Sequence, residues 1–293
     1  MSTPSRISGA ARLRRGLAWS AVAVAIVLAA AFLADLVIAS RAEHRLARAV
    51  LESPAVVYEP EVMLTAFPFL PAAGSGEFGL VHISARGVPI GGCADRGACS
   101  ADVDARLHDA RLGDVWDLTG STPLAFERLT AETRINSVNL GRLMGIVDLY
   151  INTPAPVDKV GGGGPGDGLL ERTEGILLSG TVPFPGSPAR DGKYPPSASE
   201  YSYPKAKVSV SARVAVVDGR VVIEATDFYT GPEEHFADPV PAEFRSHVLK
   251  LFSATLPDLP LAWGVPVTSA LSRGSDLILL GERSGGTVEA RDY

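Results

Sequence analysis

The chain has 293 residues, 46% hydrophobic and 20% charged, with 30 Gly and 22 Pro, a composition that can bury a core and excludes a disordered or fibrous chain. Four arginines (Arg6, Arg12, Arg14, Arg15) precede the first apolar run, so beyond residue 40 stand 23 Lys and Arg against 32 Asp and Glu, a net charge of −9. With five lysines in all and no basic cluster, this part lacks the electrostatic footprint that phosphate backbones demand, which argues against nucleic acid as a partner.

Leu17 to Ala34 (LAWSAVAVAIVLAAAFLA) is a run of eighteen uncharged residues, and beyond Asp35 the apolar pattern resumes through Leu36, Val37, Ile38 and Ala39. At ~1.5 Å per residue a helix of this length crosses a bilayer. The arginines lie before the run and mixed charges follow it, so the positive-inside rule places residues 1–16 in the cytoplasm, 17–39 in the plasma membrane, and 40–293 on the extracytoplasmic or periplasmic side. The run exceeds the 7–15 residue core of a secretory signal, which favours an uncleaved anchor over a cleaved leader. Cys93 and Cys99 are the only cysteines; their short spacing fits a disulfide in an oxidising compartment better than half of a metal site, for which no further His or Cys lies near in sequence.

Arg41 to Glu52 (RAEHRLARAVLE) spaces Ala42, Leu46, Ala49 and Val50 by three and four, predicting that the first helix continues outward until Pro54. Val56 to Leu70, Phe78 to Val88, Ala101 to Leu112 and Leu129 to Ile135 read as strands, the third placing Val103, Ala105 and Leu107 on one face. Val138 to Tyr150 switches to helical spacing through Leu140, Met144, Val147 and Ile151. Two low-complexity stretches, near 153–168 and 183–204, read as flexible insertions.

Lys207 to Val217 and Arg220 to Phe228 flank Asp218-Gly219, the signature of a hairpin with a type I′ turn. Pro241 to Phe252 predicts an amphipathic helix with Phe244, Val248, Leu251 and Phe252 on one side, and Gly274 to Leu280 with Thr287 to Ala290 a closing strand pair. Strands and helices fall in separate runs, so the class is α+β with mainly antiparallel sheet.

No catalytic motif emerges, and the chain reads as a non-enzyme. GSGEFG at 74–79 has the spelling of a dinucleotide loop, but strand-like LVHISA follows it where a helix is required, so it reads as a hairpin turn. No two of His44, His82, His108, His235 and His247 have zinc-protease spacing, no G-x-S-x-G is present, and Asp102/Asp104 and Glu233/Glu234 read as a solvated acidic face. Neither a cofactor nor a metal is expected.

The membrane segment, RAEHRLARAVLE, and then EVMLTAFPFLPAAGSGEFGLVHISARGVPI, followed late by LPDLPLAWGVPVTSALSRGSDLILLGE, resemble the LmeA family of actinobacterial envelope proteins. Phe67-Pro68-Phe69-Leu70 is the specific part of the resemblance; the rest is pattern. The resemblance implies a long twisted antiparallel sheet wrapped around amphipathic helices, similar to tubular lipid-binding domains. It also implies phospholipid or glycolipid as partner and a part in building mannan-bearing glycolipids. The Cys93/Cys99 loop and the two insertions depart from the family pattern. Candidate lining residues for acyl chains are Phe67, Phe69, Leu70, Val208, Val210, Val214, Phe244, Val248 and Phe252. The competing readings are an extracytoplasmic scaffold for envelope-biosynthesis enzymes, with a filled core and an exposed apolar patch, and an enzyme acting on glycolipid.

Overall fold

A computed structural model of the chain describes residues 8–93, 96–153, 175–186, 198, 204–231 and 234–293. Helix α1 (Ser8–Val50) is continuous because no Gly or Pro interrupts it between Gly16 and Pro54. Its last turns bury Ala42, Leu46, Ala49 and Val50, the stripe that the spacing predicts.

The first sheet contains β1 (Glu61–Thr65), β2 (Glu77–Ile90), β3 (Cys99–Leu112), β4 (Pro123–Asn136), β10 (Ser269–Arg273) and β11 (Asp276–Glu289), in the order β1-β2-β3-β4-β11-β10. All its pairs are antiparallel. Its four central strands have 14 residues each, so the sheet runs about 45 Å at roughly 3.3 Å per residue. One face is apolar through Val81, Ile83 and Ala85 on β2, Val103, Ala105 and Leu107 on β3, and Leu129, Ala131 and Ile135 on β4. Near Gly79, Asp109, Glu127 and Gly285, which the register sets in one row, the alternation slips by a residue, and Phe78, Ala110 and Phe126 become the buried ones. Asp109 (φ 49°) and Gly285 (φ 53°) take left-handed conformations there, re-aiming the side chains so that the apolar face stays turned towards the core.

The second sheet, in the order β5-β6-β7-β8-β9, comprises β5 (Tyr150–Asn152), β6 (Ile176–Pro183), β7 (Lys205–Val217), β8 (Arg220–Phe228) and β9 (Ala254–Thr255). Asp218 (φ 50°) and Gly219 (φ 76°) form the turn between β7 and β8 that the sequence predicts. The short helices are α2 (Phe69–Ser75), α3 (Ser137–Met144) and α4 (Arg245–Leu251).

Two apolar cores result. The first joins the end of α1, Phe69 and Ala73 of α2, and the inner face of the first sheet. The second joins the second sheet, Leu140, Val248 and Phe252 to Ile135, Leu277 and Leu279 at the far end of the first sheet. The segment 257–266 crosses between them, setting Leu261, Ala262, Trp263 and Val265 into the first core.

Several local expectations are corrected. Val56 to Leu70 is not one strand: β1 stops at Thr65, and Phe69 opens a helix. Gly74 to Gly79 is no hairpin turn but the end of α2, left-handed Gly76 (φ 71°), and the start of β2. Helix α3 ends at Met144 because Gly145 takes a left-handed cap (φ 77°), so Val147 and Tyr150 lie beyond it. The helix predicted from Pro241 is a 3₁₀ turn followed by seven α residues. The closing pair is β10 with β11, and Thr287 and Val288 lie on β11 itself. A single sheet around helices is replaced by two sheets. The flexible stretches expected near 153–168 and 183–204 fall mostly outside the described residues.

Gly281 on β11 lies directly under the crossing segment: a Cβ there would stand 2.5 Å from the Pro266 carbonyl oxygen and 2.8 Å from Val265 Cγ1. Gly281→Ala should therefore lift the segment and destabilise the fold by about 1–3 kcal/mol, read as a lowered thermal midpoint with altered Trp263 emission.

Candidate functional site

The inner face of the first sheet is shallowest in side chains along one row, where Ala105, Ala131 and Gly281 stand in register with Ile83. These small residues leave a trough, and the crossing segment fills it. Trp263 is buried there and donates its indole N–H to the Glu289 carbonyl at 2.8 Å. Its backbone is left-handed (φ 52°), a conformation that costs a bulky residue about 1–3 kcal/mol and is sustained only by the surrounding contacts. The ring meets Tyr293 edge-on at 4.9 Å. The Tyr293 hydroxyl lies 2.7 Å from the Val103 carbonyl and 3.2 Å from that of Ile83. Burial, and next the Asp104 carboxylate, push the Tyr293 phenol well above its usual range, so it stays a neutral donor.

Two residues along β11 from Gly281, on the same face, stands Arg283. Its guanidinium lies over the Phe126 ring at 5.4 Å, and its Nε and Nη2 are buried with no hydrogen-bond partner. Buried cationic donors without an acceptor are costly in an apolar setting, and the chemistry that would satisfy them is an anion with oxygen acceptors. The same alternation that buries Leu277 and Leu279 carries Gly281 and Arg283 onto the inner face, and that parity was the signal available in the sequence for this residue.

The nine candidate lining residues fall in three places. Phe69 is only 1% exposed and packs against Phe78 at 5.7 Å in the first core. Phe67 and Leu70 lie beside it on the surface, 76% and 50% exposed. Val208, Val210, Val248 and Phe252 are buried in the second core, with Val214 partly buried against it and Phe244 partly buried against Phe184 at 5.4 Å. The two cores communicate through the shared sheet and the crossing segment.

Two surface recesses are polar. One, about 340 Å³, lies at the slipped row and is lined by Glu77, Gly79, Asp109, Arg111 and Glu127 among others. The other, about 200 Å³, holds Asp102, Arg134, Asn139 and Asp276. Arg134 approaches Asp102 at 3.5 Å and Asp276 at 4.0 Å. Among the described residues no group of three or more His, Cys, Asp and Glu is placed to hold a metal. Cys93 and Cys99 are joined by a disulfide, and both are buried in the second core.

Trp19–Val50 of α1 contains a stretch apolar and long enough to cross a membrane. A family model described as LmeA-like phospholipid-binding matches residues 33–282, from within that apolar run to the middle of β11. The chain belongs to the LmeA-like phospholipid-binding family. No curated protein and no solved structure matches it. The matched region of this LmeA-like chain includes the second sheet, the first sheet as far as the middle of β11, the trough and the crossing segment, and it stops one residue before Arg283.

Burial raises the Asp276 carboxyl above 3.8 despite the opposing Arg134 charge, and Asp102 adds to the rise. The folded state thus holds this proton more tightly than the unfolded chain. Ionised Asp276 costs stability above its folded value, and the cost vanishes as both states protonate below 3.8. Asp276→Asn should raise the thermal midpoint at neutral pH, with the gain disappearing in acid; a pH series of melting curves checks both ends.

Proposed function

We propose that this chain is a membrane-anchored extracytoplasmic protein that holds phospholipid or glycolipid acyl chains against the inner face of its first sheet, without catalysing a reaction on them. Residues 1–16 are cytoplasmic, 17–39 span the plasma membrane and 40–293 form the lipid-binding part. Chains enter past Phe69 and lie in the trough now filled by Trp263, with Val208, Val210, Val248 and Phe252 lining the far end of an apolar tunnel. Each buried CH₂ contributes about 0.8 kcal/mol, so one acyl chain suffices for useful affinity. The biological setting that fits is the biogenesis of mannan-type glycolipids of the envelope, with phospholipid as ligand or cargo.

The observation that carries this reading, beside the family, is Arg283, whose buried Nε and Nη2 have no acceptor on an otherwise apolar face. A lipid phosphate diester supplies the acceptors that Arg283 lacks while its acyl chains take the neighbouring apolar surface. A second reading is a scaffold for envelope-biosynthesis enzymes. It is favoured by the close packing of both cores, whose largest side chains, Phe69 and Phe252 among them, are almost wholly buried.

Native mass spectrometry of the full chain released from detergent should show phospholipid at about one per protein; a chain that stays lipid-free after incubation with phospholipid vesicles would favour the scaffold. Arg283→Met separates function from stability. Replacing a half-buried guanidinium whose Nε and Nη2 lack acceptors should leave the folding stability unchanged or raise it by up to about 1–3 kcal/mol, while the retained phospholipid falls severalfold. Full retention of lipid by Arg283→Met would remove Arg283 from the site.

A further inference from the structure

Helix α2 begins without a cap of its own. Its N-cap is Pro68, which has no side-chain acceptor to offer, and no local side chain takes the first free N–H groups. Asp35 of α1 takes them instead: the Phe69 N–H donates to Asp35 Oδ2 at 2.8 Å and the Leu70 N–H to Oδ1 at 3.0 Å. Asp35 is 8% exposed, so its charge is satisfied by α2 and not by water. Three residues earlier on α1, the Phe32 ring meets the Phe67 ring edge-on at 6.1 Å. The Phe67–Leu70 corner is therefore fixed at the height of residues 32–35, which lie within the apolar run 17–39.

That height decides what surrounds the corner. Counted from Ala39, residues 32–35 are about 6–10 Å down the helix at 1.5 Å per residue. Amphipathic elements at a membrane surface sit at this depth, about 5–10 Å into the headgroup and acyl boundary. The side chains turned outward there are apolar: Phe67 and Leu70 are among the exposed large hydrophobics, alongside Phe32, Leu33 and Leu36 of α1. The first charged residue after the run, Arg41, is exposed on the aqueous side of this level. A protein in water would leave Phe67 and Leu70 bare; beside a membrane-crossing helix they are at the depth of lipid.

We infer that the Phe67–Leu70 corner is a second membrane contact, inserted into the outer leaflet of the bilayer that α1 crosses and held at a set depth by Asp35. The inference rests on reading α1 as a membrane span. It gives the corner a role distinct from lining a tunnel: Phe67 and Leu70 face bulk lipid, while Phe69, between them, points into the protein core. The end of the first core that holds Phe69 is thereby held against the leaflet from which a lipid would be drawn.

Cys93 and Cys99 are bonded and no described cysteine is free, so an introduced cysteine can be labelled alone. The full chain is reconstituted in phosphatidylcholine and phosphatidylglycerol nanodiscs with an environment-sensitive fluorophore at Phe67→Cys, Leu70→Cys, Val27→Cys or Val217→Cys. All four positions are exposed; Val27 lies mid-run on α1 and Val217 at the hairpin tip. Spin-labelled lipids quench according to depth. Probes at 67 and 70 should be blue-shifted and quenched most by lipids labelled near the headgroup, that at 27 by lipids labelled deep in the chain, and that at 217 by neither. Quenching at 27 with none at 67 and 70 would overturn the second contact and leave the span intact. No quenching at 27 would overturn the span and the inference with it. Phe67→Trp, read by intrinsic emission, repeats the test should a labelled variant misfold.

Discussion

The stripe of Ala42, Leu46, Ala49 and Val50 against the first sheet is the contact on which the other arrangements depend. Because α1 has no Gly or Pro between Gly16 and Pro54, the apolar run and this buried stripe belong to one rod. Whatever fixes the run in space fixes the sheet as well. Asp35 adds a second tie about two turns below the stripe, and Ser53 a third above it, donating to the Tyr293 carbonyl at 2.9 Å. The sheet therefore has a defined height and tilt relative to the apolar run.

From that constraint follows the use of small residues further along. A sheet that packs on a helix at one end and on a second sheet at the other must bridge the interval between them. Here Ala105, Ala131 and Gly281 leave the interval open, and an irregular segment closes it. A segment of this kind has few regular backbone bonds, and it holds Trp263 in a left-handed conformation. On the proposed reading it is the part of the first core that an acyl chain would displace. Arg283 on the same face keeps Nε and Nη2 buried without acceptors, and on the proposed reading a ligand carrying both acyl chains and a phosphate would meet both needs.

The α+β class, the outward continuation of α1, the β7–β8 hairpin with its Asp218-Gly219 turn, and the inward set Val103, Ala105 and Leu107 were legible because each rests on local periodicity or turn chemistry. The Phe67–Leu70 corner was not, because its helix start is completed by a carboxylate 34 residues earlier in the chain, a tie that no local window contains. The slip at Asp109 was hidden for a similar reason: one left-handed residue reverses the meaning of every alternation after it, so Ala110 and Leu112 replace the expected parity. The end of α3 could have been read from Gly145, but the helical spacing of Val147 and Ile151 outweighed it. The lining candidates were chosen as large apolar residues on periodic faces, a criterion that core and cavity share. It could not separate exposed Phe67 from buried Phe69, nor favour a charged residue such as Arg283.

The most direct test of the inner face as the lipid site is photocrosslinking of the full chain in nanodiscs by a phospholipid carrying a diazirine at the end of one acyl chain, with adducts mapped by mass spectrometry. Adducts on the peptides holding Ile83 to Ala85, Val103 to Leu107 and Leu261 to Val265, reduced in Arg283→Met, are the predicted result. Adducts confined to residues 17–39 and to the Phe67–Leu70 corner would mean that lipid meets this protein only as a surrounding bilayer, contradicting a phospholipid held within the fold.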